Sequence, residues 1–507
     1  MSTFTPGRLG LAAAVLAGIW VLAFVGVAVA RMGHPFELDW MGGAFVDHVC
    51  RILDGEPLYC APSADYVPFL YAPLYFYASA GVATVVGEGF VPLRLVAFSA
   101  TLGILALTAF WVRRRTGSAG AAAVAVGIHA GCYFLVDTYY DAARADSAFL
   151  VQALLALVLL DLGKGWRTAA VAGAVLVSAY LTKQTAMVLA PPFAIAAAIR
   201  APRRGAVFAL AFAGLWLAAT TALDASTDGW FSFYTWDLPR HHQYDWSIAL
   251  DALWIDFRPL WPVMGLGLWL LITRLRHGEV RSVLHDGAWP GGLLLAALSS
   301  RAHLGGAVNV LAPGVLALGL IGALSWGDAL RHGGRAALLV PALLIAQLAL
   351  LAVDLEDRDV RHAPRLVDPL RYIPTEADRE AGERIVAMLR EAEGDVLVPW
   401  HGYLPRMAGK RGSAHLMALI DLETDRSGRA DVWDALHQEF LDSARARSAG
   451  LVLLDKDLGE AKYRLGSLVY PGYAVDPTPL FDEGTSTFQP VLGLRTRPFL
   501  ACRRADR

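Results

Sequence analysis

Long apolar segments, repeated between residues 11 and 353, are the feature that most restricts how this chain can fold. Hydrophobic residues make up 56% of the 507 positions and charged residues 18%, against about 45–50% and about 25% in soluble globular proteins. Such segments cross a bilayer as helices, because the lipid offers no water to satisfy free backbone groups. We therefore predict a mainly α-helical, polytopic membrane protein. Its net charge of −2 gives no indication of a nucleic-acid partner.

The candidate spans number about eleven, with boundaries set by the length needed to cross a bilayer core of about 30 Å. They cover residues 11–30, 91–112, 119–136, 147–162, 168–182, 185–199, 206–223, 253–273, 288–300, 306–326 and 335–353. The first segment also resembles a signal peptide, since Arg8 precedes it and small residues end it at Ala28–Ala30. Its length favours an uncleaved helix, and in either case the next loop lies outside the cytoplasm.

Basic residues decide whether a further apolar run, Tyr71–Gly87, crosses the membrane. Cytoplasmic loops carry the excess of Lys and Arg. If this run does not cross, the basic clusters all fall inside; if it crosses, they all fall outside. The clusters are Arg113–Arg115, Lys164 with Arg167, Arg200 with Arg203 and Arg204, Arg274 with Arg276 and Arg281, and Arg331 with Arg335. We therefore predict that Tyr71–Gly87 lies in the outer interface, with the N-terminus cytoplasmic and the C-terminus outside.

After Leu355 charged residues become frequent and the apolar runs shorten. Helical spacing at Glu376–Glu393 and Arg429–Arg447 alternates with two short apolar stretches that read as strands, Asp395–Trp400 and Ala449–Asp455. This order predicts a small α/β domain. The predicted organisation is a transmembrane module over residues 1–354, with its first extracytoplasmic loop at 31–90, and a soluble extracytoplasmic domain over 355–507.

The predicted topology gathers the chemically interesting side chains on the outer side. Glu37 and Asp39 directly follow the first span, where a carboxylate could take a proton from an acceptor hydroxyl. Glu56 is a third acidic candidate in the same loop. The competing interpretation is that these are ordinary solvated acids. Cys50 and Cys60 share this loop, and they are either a disulfide or two free thiols.

A second group of ionisable residues lies beside the later spans. Asp141, Arg144 and Asp146 are either functional or include an Arg144–Asp pair that only fixes two helix ends, because charges next to apolar spans are costly to bury. Lys183 suits a phosphate headgroup, although an ordinary lysine also snorkels to the interface.

Two further candidates lie in the later outer loops. His242 follows His241 and precedes Asp245, which permits a metal or a phosphate contact but matches no firm metal signature. Arg301 could add positive charge for a phosphate.

Taken together, these motifs resemble the GT-C superfamily of polyprenyl-phosphate-sugar-dependent membrane glycosyltransferases. The branch most similar contains bacterial relatives of protein mannosyltransferases and the lipid A aminoarabinose transferase. The resemblance covers about residues 10–330. The residues that carry it are Asp39, Gly55–Tyr59, Tyr71–Tyr75, Pro92–Leu95, Asp141–Asp146, Leu181–Thr185 and Gly305–Asn309.

The resemblance implies a catalytic Asp in the first outer loop, which is Asp39, and a sugar donor on a polyprenyl phosphate in the membrane lipid. It makes Arg94 and Lys183 candidates for contacting the lipid phosphate and Asp146 a candidate for shaping the site. Some members have adjacent Asp-Glu in this loop. Here Trp40 follows Asp39, so a second carboxylate and a divalent metal stay open. The acceptor would be a lipid, a glycan or a protein.

The expected activity is therefore transfer of a sugar, with inversion, to an extracytoplasmic acceptor at the inner membrane of the cell envelope. A transporter or flippase is the alternative, but it would place polar residues at the membrane midplane on broken helices, commonly in two repeats. A non-catalytic membrane scaffold would need no polar pocket on the outer side.

Overall fold

The structure, a computed structural model, describes residues 6–303, 305–354, 365–423, 449–455, 473–482 and 484–504, with Gln438, Asp442 and Ala446. Helices dominate the first 350 positions. They are α1 Pro6–Met32, α2 Gly42–Leu53, α3 Leu74–Val86, α4 Phe90–Thr116, α5 Ala119–Gly131, α6 Asp146–Leu162, α7 Trp166–Thr182, α8 Ala190–Arg200, α9 Pro202–Ser226, α10 Trp230–Ser232, α11 Leu238–His241, α12 Trp246–Trp254, α13 Trp261–Arg276, α14 Val280–Ala302, α15 Ala312–His332 and α16 Ala336–Leu350. Each of the predicted spans overlaps at least one of these helices, although 119–136 extends past the end of α5 and 253–273 begins within α12 and continues into α13.

Four of the described helical segments are long and apolar enough to cross a bilayer: 7–32, 90–116, 202–226 and 308–332. A fifth candidate joins α12 to the segment Arg258–Arg276 across a bend of 47°. The remaining predicted spans coincide with shorter or more polar helices, so the number of crossings stays a prediction. The mainly helical, polytopic membrane fold is confirmed.

The run Tyr71–Gly87 contains one short helix, α3, of 13 residues. A helix of that length extends for only about 20 Å, against a bilayer core of about 30 Å. It packs between α2 and α4. Its length agrees with a location in the membrane interface, which stays a prediction.

The C-terminal domain contains α17 Glu376–Glu391, α18 Leu404–Met407 and α19 Leu416–Glu423. Its sheet has the order β3-β4-β6-β5, and β3 pairs with β4 in parallel while the other pairs are antiparallel. The strands are β3 Val396–Leu397, β4 Leu451–Leu454, β5 Tyr473–Asp476 and β6 Leu500–Arg504. A separate two-stranded ribbon pairs β1 Val353–Asp354 with β2 Arg365–Leu366.

Local sequence explains where α17 begins. The Thr375 hydroxyl accepts a hydrogen bond from Asp378 N, and the Asp378 carboxylate accepts one from Thr375 N. Two free backbone N–H groups are thereby satisfied. The predicted helix and the two predicted strands lie at α17, β3 and β4. The expected helix Arg429–Arg447 falls largely outside the described residues. Strands β5 and β6 were not predicted.

Among the described residues two apolar clusters form the core, and the second one crosses the expected domain boundary. The larger cluster fills the helix bundle and includes Leu492 from the end of the chain. The other joins the first loop to the C-terminal domain, for example Phe45 and Phe69 with Leu404 and Leu451. Because they share this core, the first loop and the C-terminal domain form one packed unit on one side of the bundle.

Candidate active site

Asp39 lies at the junction between the first loop and the helix bundle. It is 5% exposed. Its backbone carbonyl accepts a hydrogen bond from Gly42 N at 2.8 Å, in the turn that leads into α2. The Tyr139 hydroxyl donates to Asp39 Oδ1 at 2.9 Å, and Arg144 Nη1 donates to Oδ2 at 3.2 Å. Burial raises the pKa of Asp39, while the Arg144 charge and the Tyr139 hydrogen bond oppose that rise.

Four more polar side chains extend this arrangement into the bundle, and with Asp39 they form what we call the polar row. Its members are Asp39, Arg144, Asp146, Lys183 and Asn309. Lys183 Nζ donates to Asp146 Oδ1 at 2.6 Å, and Asn309 Nδ2 donates to Asp146 Oδ2 at 3.1 Å. The charges of Arg144 and Asp146 attract each other. Alternating charges lower the cost of burying so many ionisable groups together.

Aromatic rings surround Arg144, one of the two cations of the polar row. The Arg144 guanidinium lies 5.9 Å from the ring centre of Tyr71 and 5.7 Å from that of Tyr139. Arg144 Nε and Asn309 Oδ1 are buried without a hydrogen-bond partner among the described residues. Buried polar atoms are nearly always satisfied, so these two mark space in which a polar ligand could bind.

Glu37 is buried two residues before Asp39, and the C-terminal domain holds it. His401 Nδ1 lies 2.6 Å from Glu37 Oε2, and His401 Nε2 lies 3.0 Å from Asp455 Oδ2. Burial opposes a charged ring, but the carboxylates on both sides outweigh it and raise the pKa of His401 to about 10. His401 is therefore an imidazolium that donates to both acids.

Arg94 was expected near the lipid phosphate, but its side chain contacts backbone instead. Its Nη1 donates to the carbonyls of Met32 and Arg31 at 3.2 and 3.3 Å and also to that of His34, while Nη2 donates to Phe36 O. A guanidinium used in this way holds the chain that leaves α1. We therefore assign Arg94 to positioning the first loop.

Asp141 also has a structural partner. Arg31 donates to both of its oxygens, at 2.7 and 2.9 Å, and the Tyr133 hydroxyl donates to Oδ1 at 2.7 Å. This pair fixes the end of α1 to the segment before α6, and its cation is Arg31 rather than the Arg144 of the alternative interpretation. It lies beside the polar row rather than in it.

The remaining predicted residues are outside the polar row. The Glu56 side chain is 54% exposed and pairs with Arg51 at 2.6 Å. His242 Nδ1 lies 3.1 Å from His303 Nε2, and its other ring nitrogen lies 3.1 Å from the carbonyl of Asp421. Arg301 Nε donates to Asp256 at 3.0 Å. We therefore do not propose that Glu56, His242 or Arg301 contacts the reacting groups.

Both thiols of the first loop are free. Cys50 is buried and contacts Glu88, and Cys60 contacts Arg51.

Metal binding finds no support in the same region. The described residues contain no group of three or more His, Cys, Asp or Glu side chains arranged to hold a metal ion. Asp39 has Tyr139 and Arg144 on its two oxygens, which does not fit a metal ligand.

Sequence reasoning did not select Tyr139, His401, Asp455 or Gly493, all of which lie in or against the site. Tyr139 stands two residues before Asp141, so its motif was noticed although its role was not. The other three carry no local signal, because they reach the site only through the fold of the C-terminal domain.

Fold and site together define a polytopic membrane protein whose buried carboxylate lies against a small C-terminal sheet and its helices. Neither a protein-family model nor a curated protein matches the sequence. Among solved structures, ArnT from Cupriavidus metallidurans bound to undecaprenyl phosphate is similar with a TM-score of 0.57 and 12% identity, over 96% of this chain and 98% of that one. The same protein in its apo state gives 0.56 and 14%, with the same coverage.

The archaeal oligosaccharyltransferase of Archaeoglobus fulgidus, tethered to an acceptor peptide, matches at a TM-score of 0.47 and 11% identity, over 92% of this chain and 72% of that one. ArnT is a lipid A aminoarabinose transferase of the GT-C type. The similarity to ArnT extends over nearly all of both chains. This chain therefore has a GT-C-like fold, as the sequence predicted.

Proposed function

We propose that this protein is a membrane glycosyltransferase that moves a sugar from a polyprenyl-phosphate carrier to an acceptor outside the cytoplasm. The observation that carries the proposal is the buried Asp39 carboxylate, held by Tyr139 and Arg144 at the head of the polar row. The ArnT-like fold supports the same class, because one of the similar structures contains undecaprenyl phosphate.

Asp39 acts as the general base. It takes the proton from an acceptor hydroxyl, and the acceptor oxygen then bonds to the anomeric carbon of the donor sugar. The bond from that carbon to the phosphate oxygen breaks, and the phosphate leaves on its polyprenyl carrier. This is a single displacement, so the sugar inverts. Glu37 takes no part as a nucleophile because His401 holds it.

Lys183 and Arg144 stabilise the leaving phosphate. Charge increases on the phosphate as its bond to the sugar breaks, and preorganised cations lower the energy of that transition state. Lys183 lies at the end of α7, and among the described residues its ammonium has one hydrogen-bond partner, Asp146 Oδ1 at 2.6 Å. A phosphate could therefore share this ammonium with Asp146 without displacing it.

The orientation follows from the basic clusters. The N-terminus is cytoplasmic, and the polar row, the first loop and the C-terminal domain face the periplasm or the cell exterior. The location of α3 beside α2 and α4 suits a helix in the outer leaflet, at the depth where a lipid-linked donor meets a soluble acceptor.

The experiment is donor turnover by the purified full-length protein, with a radiolabelled polyprenyl-phosphate sugar and release of the lipid phosphate as the readout. Asp39→Asn should reduce turnover by about 10²–10⁴-fold, the usual contribution of a general base. The matched control is Asp54→Asn in the same loop, whose side chain is 46% exposed and pairs with Arg406. Equal turnover by the Asp39 and Asp54 variants would contradict the assignment of the base.

A further inference from the structure

A segment near the end of the chain, residues 488–497, lies directly against the polar row, and we call it the strap. Both of its ends are fixed within the C-terminal domain. Phe488 N donates to Asp378 Oδ1 at 2.8 Å, and Thr496 Oγ1 donates to Asp455 Oδ2. Between these points Leu492 is fully buried and belongs to the apolar core of the helix bundle. The strap therefore passes from the soluble domain into the top of the bundle.

The middle of the strap contacts the first loop through backbone. Leu492 N donates to Leu38 O at 2.9 Å, which forms a short parallel bridge beside Asp39. Gly493 N donates to Asp137 Oδ2 at 2.7 Å. These bonds set the separation between the strap and the two segments that carry Asp39 and Tyr139.

Gly493 has almost no space around it. A Cβ atom at this position would lie 2.2 Å from the Tyr139 hydroxyl oxygen and 3.1 Å from Asp39 Oδ1. Its φ of +58° is also one that other residues seldom adopt. Any side chain here would push the Tyr139 hydroxyl away from the carboxylate to which it donates.

A second connection holds the chain on the N-terminal side of Asp39. Glu37 is joined to His401, and His401 to Asp455, which also accepts the Thr496 hydroxyl of the strap. The C-terminal domain thus holds the first loop two residues before Asp39 and again at the strap. An arrangement with both flanks fixed is what a preorganised catalytic carboxylate requires.

We propose that the C-terminal domain completes the active site and that Gly493 is a positioning residue, which keeps the Tyr139 hydroxyl on Asp39. This inference rests on the proposed function. It extends that function by giving the soluble domain a direct part in the reaction. Without the Tyr139 hydrogen bond, the Asp39 carboxylate loses one of the groups that orient it and stabilise its charge, the others being Arg144 and the Met41 backbone.

The test compares four full-length proteins: wild type, Gly493→Ala, Tyr139→Phe and the double variant. Gly493→Ala should lower kcat by about tenfold or more, because a hydrogen bond to a charged group is lost. It should also move the acid limb of the pH–rate profile to higher pH. In the double variant the phenol oxygen is absent, so the severe 2.2 Å overlap is removed, and the nearest remaining atoms are Asp39 Oδ1 at 3.1 Å and the ring Cζ at 3.5 Å. The kcat of the double variant should equal that of Tyr139→Phe alone rather than fall further.

The matched control is Gly484→Ala in the same domain. Gly484 has a φ of +76° but open space where a Cβ would stand, so this variant carries the backbone strain without the clash. The inference is overturned if Gly493→Ala behaves like Gly484→Ala, or if the effects of Gly493→Ala and Tyr139→Phe simply add.

Unfolding temperature in detergent, measured on the same proteins, tests the contact between Gly493 and Tyr139 separately from the proposed glycosyltransferase function. Gly493→Ala should unfold below Gly484→Ala, and Tyr139→Phe should restore that loss, whatever the enzyme transfers. If this pattern holds while wild type releases no lipid phosphate, the contact is correct and the proposed function is wrong. If it holds and kcat is unchanged in an active enzyme, Gly493 does not position the base.

Discussion

At the scale of single residues, the buried carboxylates of the helix bundle near Asp39 each contact a cation. Asp39 pairs with Arg144, Asp146 with Lys183 and Asp141 with Arg31. Burying a charge without a partner costs several kcal/mol, so these pairs allow ionised groups to persist beneath a domain. The three pairs differ in use, because only Asp39 and Asp146 belong to the polar row.

Lys183 is the residue for which a structural and a functional role must be separated. Lys183→Met should raise the KM for the lipid-linked donor by about 10–100-fold, the loss of one charge-assisted hydrogen bond. The variant also leaves Asp146 unpaired, so it should be less stable. Adding Asp146→Asn should restore the unfolding temperature but not the KM. Kinetics with the labelled donor and thermal unfolding in detergent measure the two effects.

Lys164→Met serves as the control for the loss of a lysine, since Lys164 is exposed between α6 and α7. It should change neither property. If restoring stability through Asp146→Asn also restored the KM, Lys183 would be a partner of Asp146 and nothing more.

At the scale of elements, the end of α1 and the first loop depend on one side chain from α4. Arg94 donates to carbonyl groups at the end of α1 and to others in the chain that follows. Such carbonyls, buried without a donor, would each carry a desolvation cost. The path of the chain toward Asp39 is thus set by a helix that begins at Phe90.

Arg94→Met should lower the free energy of unfolding by roughly 3 kcal/mol or more, because several hydrogen bonds to a charged donor are lost together. The KM for the donor should stay within about twofold once folded protein is compared, since the side chain touches no phosphate site. Arg113→Met, at the exposed far end of α4, is the matched control. A large increase in KM without loss of stability would instead support a contact between Arg94 and the lipid phosphate.

At the scale of the whole molecule, the helix bundle and the C-terminal domain are joined by charge as well as by apolar packing. Glu37, His401 and Asp455 lie in one buried line between them. The pKa of His401, about 10, exceeds its ordinary value of 6.5. Its contribution to stability is therefore complete below pH 6.5 and is lost as the pH rises through about 10.

We expect the wild-type protein to lose on the order of 2–4 kcal/mol between pH 7 and pH 10 relative to the double variant Glu37→Gln/His401→Gln, in which neither of these two coupled groups titrates in that range. Unfolding in detergent at a series of pH values measures this difference. Lysine and tyrosine side chains elsewhere titrate in both proteins, so they cancel. Parallel curves for the two proteins would show that His401 is not charged.

The sequence by itself determined the class of the fold and most of the polar row. Apolar length specifies helices that cross a membrane, because the bilayer leaves the backbone no other partner. Arg144 and Asp146 were selected because charges beside such helices are costly to bury. Lys183 was selected because a cation at the membrane surface suits a phosphate headgroup, and Asp39 because a carboxylate there can act as a base. These arguments need only a short window of residues; the structure brings the four side chains together, and their roles in the reaction stay predictions.

Tertiary structure alone decided which charge meets which partner. Glu37 and His401 are 364 positions apart in the sequence, and Arg94 donates to the carbonyl of Phe36, which lies 58 positions away. No periodicity within a helix or strand encodes such distances. The role of Gly493 could not be predicted from the sequence either. Glycine is needed there because the Tyr139 hydroxyl lies 2.2 Å from the place that a Cβ would occupy. Local sequence specifies each element through its own backbone and solvent, whereas a contact between distant elements exists only once their shared core has packed.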